Sequence, residues 1–439
     1  MMSDILTDLR WRGLIAQSTD EQSLDRALRE GRVTFYGGFD PTAPSLHVGH
    51  LVLILTMRRL QDAGHRALAL VGGATGMIGD PRDVGERSLN SAETVAGWVE
   101  RIRAQIQPLL DFEGPNPAQM VNNLDWTEDL SAIDFLRDVG KHFRLGTMLA
   151  KDIVARRLRS DEGISYTEFS YQVLQGMDFL ELFRRDGCTL QVGGNDQWGN
   201  LLAGVELIRK AEGAGAHALT TPLITKSDGS KMGKSEGGAI WLDPELTSPY
   251  AFYQFWVNTA DADVVRYLKV FTFRSREEIE ELADDVARRP QARTAQQTLA
   301  ADVTTLLHGK TATDAAIMAS QALFGRADLQ DLDEATLGDV VAEIPAGTVD
   351  LGRATMIDAL VASGLSTGRN AARRTVREGG AYLNNVKVTD PDQLLTEADL
   401  LAGTAALVRR GRRHVAAVRP DVPAPAPAPV AAVTAKTQA

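Results

Sequence analysis

Two short apolar segments, separated by one helix-length segment, restrict the fold of this chain more than any other feature. The segments 33–39 and 67–71 are predicted to be buried strands, and residues 47 to about 63 are predicted to form the helix between them. A strand, a helix and a second strand in this order make a βαβ unit, in which the two strands are parallel. The sequence therefore predicts an α/β fold built on a parallel sheet.

Further segments extend this pattern and divide the chain. Helices are predicted at 92–109, 131–158, 167–184 and 197–212, and a short strand at 189–192. The predicted divisions are an α/β domain at 1–246, a helical domain at 247–340, a linker at 341–352, a basic α+β domain at 353–420 and a Pro/Ala-rich tail at 421–439. The tail holds too few apolar residues to bury a core, so we expect it to be disordered.

Composition excludes several classes of protein. Among its 439 residues the chain has one cysteine, Cys188, which excludes an intramolecular disulfide and a Cys-rich metal site. The longest apolar run, 51–57, is far shorter than the ~20 residues that cross a bilayer, and the acidic N-terminus does not resemble a signal peptide. We therefore expect a cytoplasmic protein without a membrane partner.

The net charge is −11, yet the segment 353–420 holds 11 Lys and Arg against 6 Asp and Glu, which indicates a polyanion-binding module.

A histidine pair opens the predicted helix that follows the first strand. Residues 47–50 are His-Val-Gly-His, so His47 and His50 lie in the first turn. A helix N-terminus presents unpaired N–H groups to phosphate, and both imidazoles can donate to the same oxygens. Gly49 allows a flat base to approach the backbone. From these residues alone, a capped helix with two incidental histidines is an equally good explanation.

Three lysines mark a second segment far downstream. Lys226, Lys231 and Lys234 lie among Gly and Ser residues, as in a mobile loop that brings ammonium groups to a polyphosphate. Taken alone, a solvated basic loop is the more frequent explanation. A P-loop is excluded because position 228 is Asp rather than Gly, and no Gly-x-Gly-x-x-Gly motif occurs.

The two segments together are more specific than either alone. With them, the chain resembles the class I aminoacyl-tRNA synthetases, and among these the bacterial tyrosyl-tRNA synthetases, over nearly its whole length. The other matching stretches are 36–42 (Tyr-Gly-Gly-Phe-Asp-Pro-Thr), 72–81 (Gly-Gly-Ala-Thr-Gly-Met-Ile-Gly-Asp-Pro), 171–178 (Tyr-Gln-Val-Leu-Gln-Gly-Met-Asp) and 193–198 (Gly-Gly-Asn-Asp-Gln-Trp). The resemblance implies a Rossmann-like catalytic domain, a helical domain and an S4-like RNA-binding domain.

A polar stripe on the predicted helix 167–184 matches the amino-acid pocket of that family. Tyr171, Gln175 and Asp178 share one helix face among Phe and Leu residues, where polar groups are costly to bury unless a polar ligand meets them. The resemblance implies that Tyr171 and Gln175 bind the substrate ammonium with Asp80, and that Asp178 and Tyr36 bind the phenolic hydroxyl. Phenylalanine would leave this pair unsatisfied and should be rejected. The alternative is an exposed face of an amphipathic helix.

The turn at 193–197 and the two signature segments provide the remaining site residues. Asp196 suits the hydroxyls of a ribose and Gln197 the substrate carboxylate, although a strand-to-helix turn with an Asp cap is the alternative. The resemblance assigns ATP binding to Asp40, Gly49, Gly194, Asp196 and Lys234. It assigns catalysis to His47, His50, Lys231, Lys234 and Thr42.

The implied reaction needs no general base. The tyrosine carboxylate, already an anion, attacks the α-phosphorus of ATP and releases pyrophosphate, and the tyrosyl group then passes to the terminal ribose of tRNA(Tyr). Catalysis then consists of positioning and charge stabilisation. ATP is a substrate, no tightly bound cofactor is expected, and Mg²⁺ is expected to arrive with ATP because no carboxylate cluster is evident.

The basic segment resembles an S4-type RNA-binding domain. Arg369, Arg373 and Arg377 are spaced by four on one helix face, and Arg410 and Arg412 belong to a second cluster. Such a domain binds folded RNA through the charge of its phosphate backbone and through its shape. A solvated basic helix is the alternative.

The sequence departs from the family pattern at two places. Position 233 is Gly where serine is common, and after Asp80 either Arg82 or Arg87 takes the place of a lysine. The alternatives for the whole chain are a tryptophanyl-tRNA synthetase, a simple nucleotidyltransferase or a non-enzymatic RNA-binding protein on a synthetase scaffold. The resemblance also implies a homodimer, with 135–143 as its candidate interface.

Overall fold

The computed structural model describes residues 4–82, 85, 89–230, 232–235, 238–411 and 413–421. The strands are β1 (Gln17–Ser18), β2 (Thr34–Phe39), β3 (Arg66–Val71), β4 (Gln119–Asn122), β5 (Cys188–Gly194), β6 (His217–Thr221), β7 (Lys234–Ser235), β8 (Gly238–Ala239), β9 (Ala346–Val349), β10 (Ala381–Leu383), β11 (Val386–Val388), β12 (Ala406–Arg410) and β13 (His414–Pro420).

The helices are α1 (Ile5–Arg12), α2 (Glu21–Glu30), α3 (Val48–Asp62), α4 (Thr75–Ile78), α5 (Ala92–Ile106), α6 (Leu124–Thr127), α7 (Ala132–Asp134), α8 (Leu145–Leu149), α9 (Asp152–Leu158), α10 (Tyr166–Asp186), α11 (Trp198–Glu212), α12 (Pro249–Val257), α13 (Asp261–Phe271), α14 (Arg276–Arg288), α15 (Thr294–Ala322), α16 (Glu334–Glu343), α17 (Met356–Ala362) and α18 (Arg369–Arg377). A π-helix spans Phe135–Val139, and 3-10 helices span Gly140–His142, Asn195–Gln197, Pro290–Ala292, Leu329–Asp331 and Glu397–Asp399.

The first sheet has six strands in the order β1-β6-β5-β2-β3-β4. All neighbouring strands are parallel except β1, which pairs antiparallel with β6 at one edge. The predicted βαβ unit, β2–α3–β3, and the parallel sheet are confirmed. The chain continues from β2 to β3 on one side and later returns to β5 on the other. The crevice at the carboxyl ends of β2 and β5 is therefore a topological switch point, where sheets of this type bind ligands.

Helix α10 packs directly against this sheet. Tyr36 and Leu68 of the sheet belong to one core cluster with Phe179 and Leu182 of α10. In β3 every residue after Arg66 is buried, as expected for a parallel strand that is covered on both faces. The polar stripe predicted on α10 is thereby held next to the strands that form the crevice.

The segment 131–158, predicted as one helix, is broken into five short helical pieces. Val139 and Met148 lie in the same core cluster, although nine residues apart they would occupy opposite faces of one straight helix. Between them Phe143 is extended, with φ −92° and ψ 136°. It packs over Gly176 of α10, where a Cβ would come within 3.0 Å of Phe143 Cζ. Core packing therefore overrides the helical periodicity of this segment.

The helical region after the sheet consists of α12 to α15. The chain divides into two compact units, one up to Lys310 and one from Thr311. The division falls inside α15, where Gly309 has φ 82° and ψ 167° and interrupts the helical geometry. The division therefore lies within the segment 247–340, which the sequence predicted as one domain.

The second sheet belongs to the C-terminal unit and has the order β11-β10-β12-β13-β9. Its core contains Met356 and Ile357 of α17 and Ala372 and Val376 of α18. Strand β9 pairs in parallel with β13, so the segment 341–352, predicted as a linker, contributes a strand to this sheet. The linker prediction is corrected by this pairing. The strand was not predicted because β9 has only four residues and its partner is distant in sequence. The part of the chain that the structure describes has no helix with the length and apolar character needed to span a bilayer.

Candidate active site

The carboxyl ends of the parallel strands bring distant site residues to one edge of the sheet. Asp40 follows β2, Gly72 follows β3, Asn123 follows β4 and Gly194 ends β5. These residues line the crevice at the switch point.

The histidine pair forms a reciprocal cap of α3. The N–H of Gly49 donates to His47 Nδ1 at 3.0 Å, and the N–H of His47 donates to His50 Nδ1 at 3.1 Å. Because Nδ1 accepts in both rings, each neutral imidazole carries its proton on Nε2. Burial, followed by the neighbouring His47, lowers the pKa of His50 to about 3, so His50 is an uncharged N–H donor at neutral pH. The helix cap and a phosphate-binding role are therefore compatible.

The described part of the lysine segment lies against this helix start. Gly233 has φ 79°, and a Cβ there would come within 2.5 Å of Val48 Cγ2. The Ile240 N–H donates to the Gly233 carbonyl at 2.9 Å, and the Ile240 carbonyl accepts from the Val48 N–H at 3.0 Å. Lys231 and the side chain of Lys234 lie outside the described residues, although the backbone of Lys234 begins β7. The two signature motifs, far apart in sequence, therefore meet at the N-terminus of α3.

Asp178 on α10 is surrounded by hydrogen-bond donors that the sequence did not predict. Asn123 Nδ2 donates to Asp178 Oδ2 at 3.0 Å, and Trp126 Nε1 donates to Oδ1 at 2.9 Å. Tyr36 is fully buried against Phe179, with ring centroids 5.3 Å apart. Its hydroxyl has no hydrogen-bond partner among the residues that the structure describes.

Burial controls the protonation of this pair. It raises the pKa of Asp178 to about 7, against the lowering effect of the bonds from Asn123 and Trp126. Burial and then the charge of Asp178 raise the pKa of Tyr36 well above its ordinary value. Tyr36 is therefore a neutral phenol, and each oxygen of Asp178 keeps a lone pair for a further donor. A ligand hydroxyl placed between them can satisfy both groups.

Tyr171 and Gln175 offer acceptors on the same face of α10. The Tyr171 hydroxyl donates to Asp40 Oδ2 at 2.7 Å, and the Thr75 hydroxyl donates to Asp40 Oδ1 at 2.7 Å. The Tyr171 oxygen keeps its lone pairs. The Oε1 of Gln175 is buried and has no hydrogen-bond partner within the described part of the chain. Both oxygens can accept from an ammonium group.

Asp80, Asp196 and Gln197 form one connected group. Gln197 Nε2 donates to Asp80 Oδ2 at 3.0 Å and to Asp196 Oδ2 at 3.2 Å. Asn200 Nδ2 donates to Asp80 Oδ1 at 3.2 Å. Burial raises the pKa of Asp80, and the hydrogen bonds from Gln197 and Asn200 and the charge of Lys151 oppose this rise.

Gly194 ends β5, and Thr42 follows shortly after the end of β2. A Cβ at Gly194 would come 2.5 Å from Asp196 Oδ1, so the carboxylate lies over the glycine backbone. Thr42 is exposed, and its N–H donates to the Asp40 carbonyl at 2.9 Å. Arg82 is exposed, whereas Arg87 lies outside the described residues. The described part of the chain holds no group of three or more His, Cys, Asp and Glu that could bind a metal ion.

The predicted RNA-binding arginines lie in the C-terminal unit. Helix α18 buries Ala372 and Val376 and leaves Arg369 and Arg377 exposed and Arg373 partly exposed. Arg369 pairs with Asp358, which caps α17, and Arg373 lies 3.9 Å from Asp392. Arg410 is partly exposed on β12, and Arg412 lies outside the described residues.

Sequence analysis missed five side chains of this site: Thr75, Asn123, Trp126, Lys151 and Asn200. The position of Asn123 directly after β4 is a usable signal, since the carboxyl edge of the sheet was already expected to bind ligand. Thr75 lies in the matching stretch 72–81, where it was given no role, and the other three carry no local pattern that marks them as site residues.

Comparisons with known families identify the class of protein to which this chain belongs. The family of tRNA synthetases class I (W and Y) matches residues 28–325, and the family described as tyrosine–tRNA ligase SYY-like C-terminal domain matches residues 336–418. The fold is therefore that of a class I tRNA synthetase.

Individual relatives show to which family within this class the chain belongs. The tyrosine–tRNA ligase of Streptomyces griseus is 63% identical over 419 residues, which cover 95% of this chain and 99% of that protein. The tyrosine–tRNA ligase of Mycobacterium tuberculosis is 57% identical over 425 residues, with 95% and 99% covered. The solved structure of a C-terminally truncated Aspergillus nidulans mitochondrial tyrosyl-tRNA synthetase is 33% identical, has a TM-score of 0.67 and covers 73% of this chain and 94% of that one. The chain belongs to the tyrosine–tRNA ligases, which confirms the predicted family and fold class.

Proposed function

We propose that this chain joins tyrosine to tRNA(Tyr) in two steps. A tyrosine carboxylate oxygen attacks the α-phosphorus of ATP, the bond to the bridging oxygen breaks and pyrophosphate leaves. A terminal ribose hydroxyl of the tRNA then takes the tyrosyl group and AMP leaves. The observation that carries this proposal is the buried Tyr36 hydroxyl, which lies within range of the charge of Asp178 and has no hydrogen-bond partner among the described residues.

The amino-acid end of the site is formed by α10 and its neighbours. Tyr36 and Asp178 bind the phenolic hydroxyl. Phenylalanine in its place leaves the buried Tyr36 hydroxyl unsatisfied, which costs about 1–3 kcal/mol, whereas Asp178 keeps its bonds from Asn123 and Trp126. Asp80, Tyr171 and Gln175 accept the ammonium protons, because the last two present oxygens with available lone pairs. Gln197 donates to the tyrosine carboxylate and orients it toward the phosphorus.

The ATP end of the site is formed at the start of α3. His47 and His50 donate from Nε2 to phosphate oxygens, with Thr42 beside them and Lys231 and Lys234 supplied by the segment that packs on Val48. Donors aimed at the charge that grows on the leaving pyrophosphate are the main source of catalysis in such a reaction. Asp196, Gly194 and Gly49 receive the ribose and base. Asp40, held by Thr75 and Tyr171, lies where the two ends meet. Mg²⁺ arrives with ATP and neutralises phosphate charge.

The C-terminal unit is the RNA clamp. Arg369, Arg373 and Arg377 of α18, together with Arg410 and Arg412, contact phosphates of the folded tRNA. The catalytic domain spans 1–246, and a helical domain follows it. The RNA-binding domain takes in β9 as well as the segment 353–420, because β9 completes its sheet.

The chain acts as a homodimer in the cytoplasm. Four large apolar side chains, Ile133, Leu136, Leu145 and Leu149, are 41% to 69% exposed in and around the broken helical segment. Exposed apolar side chains concentrated in one segment are typical of a protein interface, and a two-fold dimer buries the same segment on both subunits.

The test is tyrosine-dependent exchange of pyrophosphate into ATP. We expect exchange with tyrosine and none with tryptophan or phenylalanine at equal concentration. Exchange driven by tryptophan would instead identify a tryptophanyl enzyme, and the absence of exchange with all three would contradict the proposal. Charging of tRNA(Tyr) with radioactive tyrosine tests the second step.

A further inference from the structure

Three polar side chains form a hydrogen-bonded chain behind Asp80. Lys151, which precedes α9, donates from Nζ to Asn200 Oδ1 at 2.7 Å. Asn200 Nδ2 donates to Gln197 Oε1 at 2.9 Å and to Asp80 Oδ1 at 3.2 Å. Gln197 Nε2 then donates to Asp80 and Asp196. Every hydrogen bond therefore runs from the ammonium toward the two carboxylates.

The ammonium specifies the orientation of both amides. Lysine has donors and no acceptor, so the atom of Asn200 that faces it is Oδ1. Nδ2 of Asn200 then faces Gln197, which presents Oε1 and directs its own Nε2 at the carboxylates. Reversing either amide would place N–H against N–H or oxygen against oxygen, and buried groups left unpaired in this way are costly.

The packing keeps the ammonium at this position. A Cβ at Gly199, on the same helix as Asn200, would come 3.1 Å from Lys151 Cε and 3.3 Å from its Nζ. Burial lowers the pKa of Lys151 to about 8, and the charge of Asp80 opposes this shift. A partly buried cation is retained only where specific partners offset its lost hydration. The hydrogen-bond partner of Lys151 here belongs to the group that carries Asp80 and Gln197.

We propose that Lys151 is a positioning residue for the amino-acid end of the site, acting through Asn200 to hold the Gln197 carboxamide and the Asp80 carboxylate in their binding orientations. The inference rests on the proposed function, in which Asp80 binds the tyrosine ammonium and Gln197 its carboxylate. Lys151 therefore affects tyrosine binding through two amides, without contact with the substrate.

The experiment compares full-length variants in the pyrophosphate exchange assay, with KM for tyrosine and KM for ATP measured separately. Lys151→Met removes all donors, and we expect KM for tyrosine to rise about tenfold, the worth of one hydrogen bond to a charged group, with KM for ATP unchanged within about twofold. Lys151→Arg keeps the donors and restores most of the affinity. Asn200→Asp keeps an acceptor for Lys151 but loses both donors, and weakens tyrosine binding at least as strongly.

Lys210→Met is the matched control, because the Lys210 ammonium also donates to an uncharged oxygen, the His142 carbonyl at 2.8 Å, and it lies outside the site residues, 3.3 Å from Glu206 Oε1. We expect its KM values to equal those of the wild type. Tyramine, which keeps the phenol and the ammonium but lacks the carboxylate, serves as a competing ligand. Weaker tyramine inhibition in Lys151→Met supports action through Asp80, whereas unchanged inhibition would show that Lys151 does not position Asp80 and overturns the proposal.

Two other results overturn the inference while the proposed function stands. One is an unchanged KM for tyrosine in Lys151→Met. The other is an equal rise of both KM values with a lowered melting temperature, which would show a structural role alone. Absence of tyrosine-dependent exchange in the wild type would instead contradict the proposed function, and this inference with it.

Discussion

Replacing Arg157 with methionine tests how the first turn of α10 is held beside the site. Arg157 Nη2 lies 2.9 Å from Glu168 Oε2, and both side chains are 2% exposed. Its Nε donates to the Gly163 carbonyl at 2.9 Å, and its Nη1 donates to the carbonyls of Arg82 and Gly85 at 3.0 and 2.9 Å. One guanidinium therefore joins two backbone loops to the start of the helix that carries the tyrosine pocket.

The expected loss of folding stability in Arg157→Met follows from these contacts. Removing one partner of a buried ion pair costs about 3–5 kcal/mol, because the other buried charge loses a partner that offset its lost hydration. The carbonyls add less, since Gly85 and Gly163 are half-exposed and water can replace the guanidinium. We therefore expect Arg157→Met to lower the free energy of unfolding by about 4 kcal/mol. At about 2 °C per kcal/mol for a unit of this size, its melting temperature falls by about 8 °C.

Scanning calorimetry of the full chain measures this loss. Arg209→Ala is the control, because Arg209 pairs with Glu206 at the surface, where the side chains are 63% and 44% exposed and such a pair is worth less than about 1 kcal/mol. The double variant Arg157→Met/Glu168→Leu removes both charges and should regain most of the stability. A loss no larger than that of the control, or no recovery in the double variant, would refute the reasoning.

Three further predictions concern activity. Burial raises the pKa of Asp178 to about 7, and a bound tyrosine hydroxyl adds a donor to this carboxylate, so binding favours its ionised form. The Kd for tyrosine should therefore rise as the pH falls below about 7, by up to tenfold per pH unit. Calorimetric titration should show this rise in the wild type and none in Asp178→Asn. Lys234→Ala should slow adenylate formation about 10²–10³-fold with tyrosine affinity nearly unchanged, and a stopped-flow rate equal to the wild type would remove Lys234 from the mechanism. The double variant Arg373→Glu/Arg377→Glu should raise KM for tRNA at least about tenfold and leave pyrophosphate exchange unchanged. Arg288→Glu on α14 is its control. Equal tRNA charging by the wild type, the double variant and the control would contradict RNA binding by the C-terminal unit.

Local pattern was sufficient for the βαβ unit, for α10 with its polar stripe and for the positions of the two signature segments, whose function came from the family resemblance. Each of these is encoded by neighbours in sequence, through apolar periodicity or the spacing of residues on one helix turn. The same local pattern failed at 131–158 and at β9. In the first case the packing of Val139 and Met148 into one core broke the predicted helix. In the second case a segment of four residues forms a strand because it pairs with β13.

The partners of the site residues came from long-range packing. The stripe on α10 identified Asp178, but its donors Asn123 and Trp126 arrive from the end of β4 and the helix after it. Likewise, Asp80 could be singled out in the sequence, whereas its hydrogen-bonded neighbours form only because the Lys151 side chain, at the start of α9, reaches Asn200 of α11. The physical reason is that a sequence motif determines which chemical groups one element presents, while hydrogen-bond partners depend on sheet register and helix packing between elements distant in the chain.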